Sequence, residues 1–91
     1  MRIPLADIRY LDVRRNYVTV HADRDYTVKR PLGEFEAELG DGFCQVGRAM
    51  IVNLRRIRCV GRSSVQLTDG TTPPLPRGAY EPLNRAIIDQ T

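Results

Sequence analysis

The chain has 91 residues, with 14 basic residues, 11 acidic residues and a formal net charge of +3. This length allows one domain with a modest core and is short for an enzyme with a substrate cleft. An apolar fraction of 42% argues against intrinsic disorder. Because no stretch approaches the ~20 apolar residues of a membrane span and no secretory leader opens the chain, we predict a soluble, cytoplasmic protein.

Three short strands are predicted in the first third of the chain. Asp7–Val13 and Tyr17–His21 are rich in β-branched and aromatic residues, and Asp25–Lys29 follows a polar turn. In the second of these segments apolar and polar side chains alternate. This alternation predicts that its two valines face the core and that His21 lies on the opposite, outward face of the strand.

Two helices are predicted from apolar residues spaced three and four apart. The first begins near Pro31 and ends at Gly40, and the glutamates within it are expected to be solvated. The second closes the chain and tolerates Pro82 only in its first turn. The apolar positions that define them are Leu32, Phe35 and Leu39 in the first helix and Tyr80, Leu83 and Ile87 in the second.

The segment between the two helices is predicted to consist mostly of strands. Met50–Leu54 is an apolar run, whereas Ile57–Cys59 and Val65–Thr68 alternate with polar residues. Thr71–Pro76 contains three prolines and is therefore expected to be an edge strand or an extended arm. The predicted fold is a mainly β, multi-sheet domain of about eight to ten short strands with one central and one C-terminal helix.

Catalysis has little support in the residue pattern. His21 is the only histidine, and a nucleophilic pair with Cys44 is conceivable but weakly indicated. Cys44 and Cys59 lie in apolar contexts and are predicted to be reduced core thiols. Because there is neither zinc-ligand spacing nor a glycine-rich phosphate loop, we expect no enzyme activity, metal or cofactor.

Basic residues are concentrated in the second half of the chain. Between Gly42 and Tyr80 there are six arginines and a single acidic residue, Asp69. Arginine binds phosphate and guanine bidentately, although a GC-rich genome also favours its codons. The basic loop candidates are Arg14-Arg15-Asn16-Tyr17, Gly47-Arg48 and Pro76-Arg77-Gly78. Three such loops on one small domain indicate nucleic acid as the first partner to consider.

Four segments carry a motif pattern that covers about Pro4 to Ile88. They are Asp7–Asp12 followed by Asn16-Tyr17, a leucine-rich helix followed by Phe43, the run Arg48–Asn53, and Pro74–Arg77 followed by Tyr80. The most specific is Arg48–Asn53, in which a basic and a small residue precede an apolar triplet that ends in asparagine. Together the segments resemble the LytTR family, the DNA-binding output domain of many bacterial response regulators.

The resemblance implies a mostly β fold whose loops enter successive DNA grooves on one side of the duplex. Carried over by position, the DNA-contacting residues are Arg14, Arg15, Asn16, Tyr17, Arg48 and Arg77. Arg77 is expected to read a base in a major groove, and Arg48 to contact phosphate or the minor-groove edge. Asn53 is expected to be structural. The implied partners are double-stranded DNA and a receiver or sensory domain in the full-length protein. Because a domain this small should bind one half-site weakly, we also expect paired repeat sites and a second copy as a dimer.

The chain departs from the family pattern at three points. Gly47 stands where the family commonly has histidine, and Pro76 stands where it frequently has serine. The family usually has another strand before Ile3–Leu5, which predicts an excised domain or an incomplete first hairpin. No receiver domain is expected within residues 1–91, which read as a single domain.

The residue pattern also leaves two other functions open. A small basic β module can bind RNA by stacking bases on exposed aromatics. Phe35 and Phe43 are predicted to be buried, so only Tyr17 and Tyr26 could serve in that way. A protein-interaction module that uses an edge strand is the second alternative.

Overall fold

The computed structural model of the chain describes residues 3–90, and it describes the side chains of residues 3–89. These residues form seven strands, two α-helices and two 3-10 turns. In chain order they are a 3-10 turn (Leu5–Asp7), β1 (Tyr10–Arg14), β2 (Tyr17–His21), β3 (Asp25–Val28), α1 (Leu32–Leu39), β4 (Phe43–Val46), β5 (Met50–Asn53), a 3-10 turn (Leu54–Arg56), β6 (Ile57–Val60), β7 (Val65–Leu67) and α2 (Tyr80–Gln90). The predicted mainly β domain with one central and one C-terminal helix is confirmed.

Five strands form one antiparallel sheet in the order β3-β2-β1-β5-β4. The central strand β1 pairs with β2 from Tyr10 opposite His21 to Arg14 opposite Tyr17. On its other side β1 pairs with β5, which is distant in sequence. A separate hairpin of β6 and β7 forms the second sheet.

Helix α1 covers one face of the five-stranded sheet. Leu11 and Ile51 lie opposite each other on this face and are fully buried. The buried residues of this layer are Ile8, Leu11, Val18, Val20, Ala22, Leu32, Leu39 and Ile51. Pro31 precedes α1 as its N-cap, and Gly40 ends the helix with a φ of 84°. The valine pattern of β2 thus faces the core, as predicted.

The β6–β7 hairpin and α2 cover the β1-β5-β4 half of the opposite face. Buried residues of this second layer are Val46, Met50, Val52, Leu54, Val65, Leu67, Leu75, Ala79 and Leu83. The rest of that face carries polar side chains from β1, β2 and β3. None of the helices in the described range is long and apolar enough to cross a membrane.

The strand count is lower than the predicted eight to ten, for local reasons. The segment predicted as a strand from Asp7 begins at Tyr10, because Leu5–Asp7 forms a 3-10 turn closed by hydrogen bonds to the carbonyls of Pro4 and Leu5. The proline-rich segment is an extended arm with one isolated bridge, between Ser64 and Pro74. Proline lacks the N–H that a continuous ladder requires.

The prediction that both cysteines are core residues is wrong for Cys59. The pairing of β6 with β7 shifts register between Ile57 and Cys59, which breaks the alternation read from the sequence. Cys59 and Arg58 are consequently both exposed, because a bulge places successive side chains on the same side. Cys44 is half-buried, and both thiols are free.

Candidate nucleic-acid interface

The register of the central strands brings two of the three predicted loops to one end of the domain. Because β1 and β5 are antiparallel with Asp12 opposite Met50, the β1–β2 turn lies beside the β4–β5 turn. The third loop is the tip of the proline arm at Pro76-Arg77-Gly78. Arg14, Arg48 and Pro76 line the same groove. We call this end, defined by the β1–β2 turn, the β4–β5 turn and the arm tip, the loop end.

The β1–β2 turn presents four exposed residues from Arg14 to Tyr17. Tyr17 is 51% exposed, so its ring is accessible to a binding partner. Arg15 adopts a φ of 57°, in the left-handed region that residues other than glycine rarely occupy. Such strain tends to persist where function uses it, and here it projects a cationic side chain at the turn.

The β4–β5 turn consists of Gly47, Arg48 and Ala49, all of them exposed. Gly47 has a φ of 66°, and its carbonyl accepts a hydrogen bond from Gln45 Nε2 at 3.3 Å. The glycine therefore supplies the backbone conformation that reverses the chain. Arg48 lies between two small residues and extends from this reversal into solvent.

The proline arm holds Arg77 at the tip of an anchored loop. Leu75 is buried, and its N–H donates to the Ser63 carbonyl at 2.9 Å. Beyond the tip, the N–H of Ala79 donates to the Pro76 carbonyl at 3.2 Å, and Ala79 is buried. Fixed at both ends, the loop leaves the Arg77 side chain exposed.

The two ends of the domain differ in how their arginines are used. At the far end Arg9 forms an ion pair with Asp69, and Arg56 Nε donates to the Ala6 carbonyl at 2.9 Å. At the loop end no carboxylate within residues 3–90 pairs with Arg14, Arg15, Arg48 or Arg77. These four unpaired guanidinium groups make the loop end suited to a polyanion.

Comparison with known proteins identifies the family. The family model for the LytTr DNA-binding domain matches residues 1–88 of the sequence. The chain belongs to the LytTR family. Its structure is similar to the LytTr DNA-binding domain of a protein described as a methyl-accepting/DNA response regulator from Bacillus cereus, with a TM-score of 0.81 and 23% sequence identity over 96% of this chain and 86% of that chain. No curated protein matches the sequence significantly.

This LytTR domain has two further cations at its loop end that the sequence analysis did not single out. Arg62 is exposed in the β6–β7 turn, and its guanidinium lies over the Tyr80 ring at 5.4 Å. Lys29 lines a groove with Arg15 and Asn16. Neither could be located from sequence, because their placement depends on how the hairpin and β3 pair with distant segments.

Asn53 of the LytTR domain has the structural role that was predicted. Its amide Nδ2 donates to the Ile8 carbonyl at 2.7 Å, and its Oδ1 accepts from the N–H of Arg55 at 3.0 Å. The side chain is buried. Asn53 thereby ties the end of β5 to the segment before β1 and caps the following 3-10 turn.

The two side chains considered for a catalytic pair, His21 and Cys44, each contact other groups of the domain instead of each other. His21 Nε2 lies 3.0 Å from Asp12 Oδ1, its Nδ1 lies 3.1 Å from Asp25 Oδ1, and its ring stacks on Tyr10. The Cys44 thiol donates to the Gln45 carbonyl, and burial raises its pKa. No group of three or more metal-ligating side chains occurs within residues 3–90.

Proposed function

We propose that this domain binds double-stranded DNA in a sequence-specific manner, as the output domain of a bacterial transcriptional regulator. Its three loops enter successive grooves on one side of the duplex. The observation that supports this most strongly is that loops far apart in sequence meet at one end with unpaired arginines. A phosphate backbone supplies the negative charges that these arginines lack within residues 3–90.

The proposed contacts divide into those that supply affinity and those that supply specificity. Arg14, Arg15 and Arg48 contact phosphates, with Arg48 at the minor-groove edge between two major-groove contacts. Arg77 contacts a base edge. Its anchored loop fixes the direction of the guanidinium group, whose paired N–H donors match guanine O6 and N7. Asn16 and Tyr17 contact base edges or sugars from the β1–β2 turn.

Two additional residues extend the proposed footprint. The Tyr80 ring supports the Arg62 guanidinium beside the arm and limits the orientations it samples. Lys29 lies next to the β1–β2 turn. Both are placed to neutralise phosphates that flank the groove contacts, and neither is assigned a base.

The size of the domain limits how much DNA it can contact. Its longest dimension is 31 Å, close to the ~34 Å repeat of the duplex. One copy therefore spans at most about one turn. Useful affinity then requires paired repeat sites and a second copy, brought together by a dimer or a partner domain, because linked binding multiplies affinity.

The test is selection of bound sequences from a random duplex-DNA pool, with binding to single-stranded DNA and RNA measured in parallel. We expect one enriched motif and tighter binding to the duplex than to either single strand. Salt-sensitive binding without enrichment, or preference for RNA, would reject sequence-specific duplex recognition. Binding that hardly responds to salt would favour an edge-strand protein interaction instead.

A further inference from the structure

Two of the positions at which this chain departs from the family pattern contact each other. Gly47 belongs to the β4–β5 turn and Pro76 to the arm tip. A Cβ atom at position 47 would lie 2.8 Å from Pro76 Cγ and 3.3 Å from Pro76 Cβ. Real Cβ atoms essentially never approach another heavy atom within 3.0 Å. The proline ring thus occupies the space that any side chain at position 47 would need.

The contact with Pro76 constrains position 47 separately from the positive φ angle that already favours glycine there. Gly70 and Gly78 also have positive φ angles, of 95° and 83°, but a Cβ at either position would meet no atom within 4 Å. At Gly47 a φ of 66° and a close neighbour coincide. An asparagine, which tolerates left-handed backbone better than most residues, would therefore meet only backbone strain at Gly70, whereas at Gly47 it would also displace Pro76.

Displacement of Pro76 would reach Arg77 directly. The ring fixes φ of Pro76 near −65°, and the arm is held by the Leu75–Ser63 and Ala79–Pro76 hydrogen bonds on either side. Because these hydrogen bonds hold the backbone on both sides of the tip, a shift of Pro76 changes the direction of the Arg77 side chain. Gly47 is at the same time the neighbour of Arg48. The contact therefore joins the two turns from which Arg48 and Arg77 project.

We propose that Gly47 and Pro76 are a positioning pair, whose contact sets the separation of Arg48 and Arg77 and thereby selects the base that Arg77 reads. This rests on the proposed DNA-binding function and extends it to a determinant of specificity. Neither residue supplies a hydrogen bond to DNA from its side chain. Their effect is on the geometry of the two arginines.

The experiment is a cycle of Gly47→Asn, Pro76→Ala and the double variant, each subjected to selection from the random duplex pool and titrated on the wild-type motif. Pro76→Ala removes Cγ, the atom nearest to the Cβ at position 47. Gly70→Asn is the matched control, because it introduces the same side chain at a positive φ in open space. Thermal unfolding reports whether each variant folds.

We expect Gly47→Asn to weaken binding to the wild-type motif about tenfold, the order of one bidentate base contact, and to change the preferred base at the Arg77 position. Binding to random duplex should stay nearly unchanged. The double variant should bind this motif as Pro76→Ala does and more tightly than Gly47→Asn, because the clash with Pro76 Cγ is removed. Gly70→Asn should bind as wild type. Unchanged binding by Gly47→Asn would overturn the positioning role. An equal loss of affinity in Gly47→Asn and in the double variant would overturn it too.

Pro76→Ala keeps the proposal testable if Gly47→Asn does not fold. On its own it should broaden the base preference at the Arg77 position while leaving the salt dependence of binding unchanged. An unaltered motif would refute the pair. Absence of any enriched motif with the wild-type domain would instead count against the proposed function, so the two failures are distinguishable.

Discussion

The backbone N–H of Val13 donates to the carbonyl of Ala49 at 2.9 Å. This bond lies at the end of the β1–β5 ladder, where each strand turns into a basic loop. It therefore holds the β1–β2 turn and the β4–β5 turn side by side, although the two turns are distant in sequence. The sheet thus presents exposed cationic side chains from the two turns at a fixed separation.

Phosphate contact by Arg48 predicts a change in salt dependence. Arg48→Ala should weaken binding to all duplex sequences similarly and lower the slope of log K against log salt by about one. Arg62→Ala should do the same if it contacts a phosphate. Arg24→Ala, in the exposed β2–β3 turn at the opposite end, is the control and should leave the slope unchanged. A sequence-dependent loss with Arg48→Ala would assign this residue to a base.

The left-handed backbone at Arg15 predicts opposite effects on stability and binding. Arg15→Asn should raise the free energy of unfolding by up to about 1 kcal/mol, because asparagine tolerates this conformation better than arginine. It should also weaken DNA binding, since one cation is lost. Chemical denaturation and DNA titration measure the two effects. Arg14→Asn removes the neighbouring charge and should weaken binding without any gain in stability; equal stabilisation by both would exclude strain at Arg15 as the cause.

The buried amide of Asn53 predicts a loss of stability. Asn53→Ala should lower the free energy of unfolding by about 1–3 kcal/mol, because the Ile8 carbonyl and the Arg55 N–H lose their buried partner. Urea denaturation measures this loss. Asn16→Ala removes an exposed amide and should change stability little while weakening DNA binding. Wild-type stability in the Asn53 variant would show that water replaces both hydrogen bonds.

The two thiols should differ in reactivity towards iodoacetamide. Burial and the nearby Glu36 raise the pKa of Cys44, so less of it is thiolate at a given pH, and its access is restricted. Cys59 is exposed and should be alkylated first at pH ~8 in the folded protein. Mass spectrometry of the wild type and of Cys59→Ser measures the two rates. Equal rates in the folded protein, rather than only after denaturation, would contradict the half-buried position of Cys44.

Secondary-structure elements that depend only on neighbouring residues could be predicted from the sequence. The alternation in β2 places two valines in the core, and Pro31 and Gly40 bound α1. Such signals depend on the chemistry of neighbouring residues, and they required no knowledge of the tertiary structure. The structural role of Asn53 could also be predicted, but from the family resemblance rather than from the local pattern.

Features that depend on distant pairing could not be predicted from the pattern. The bulge that exposes Cys59 arises from the register of β6 on β7. Arg62 comes to the loop end because the β6–β7 turn bonds to the proline arm. The contact between Gly47 and Pro76 likewise requires two loops to meet. In the sequence, Cys59 appears as part of an apolar alternation and Arg62 as one more arginine. Gly47 and Pro76 appear only as two departures from the family motif.

The most direct test of loop-based recognition is to compare the motifs selected by wild type, Arg77→Ala and Arg77→Lys from the same random duplex pool. Arg77→Ala should cost ~1–3 kcal/mol on the wild-type motif and lose the preference at one or two adjacent base pairs. Arg77→Lys should retain the charge and the salt slope but still lose that preference, because lysine lacks the bidentate fork. An Arg77→Ala variant that weakens every sequence equally and keeps the full motif would contradict base readout by the arm.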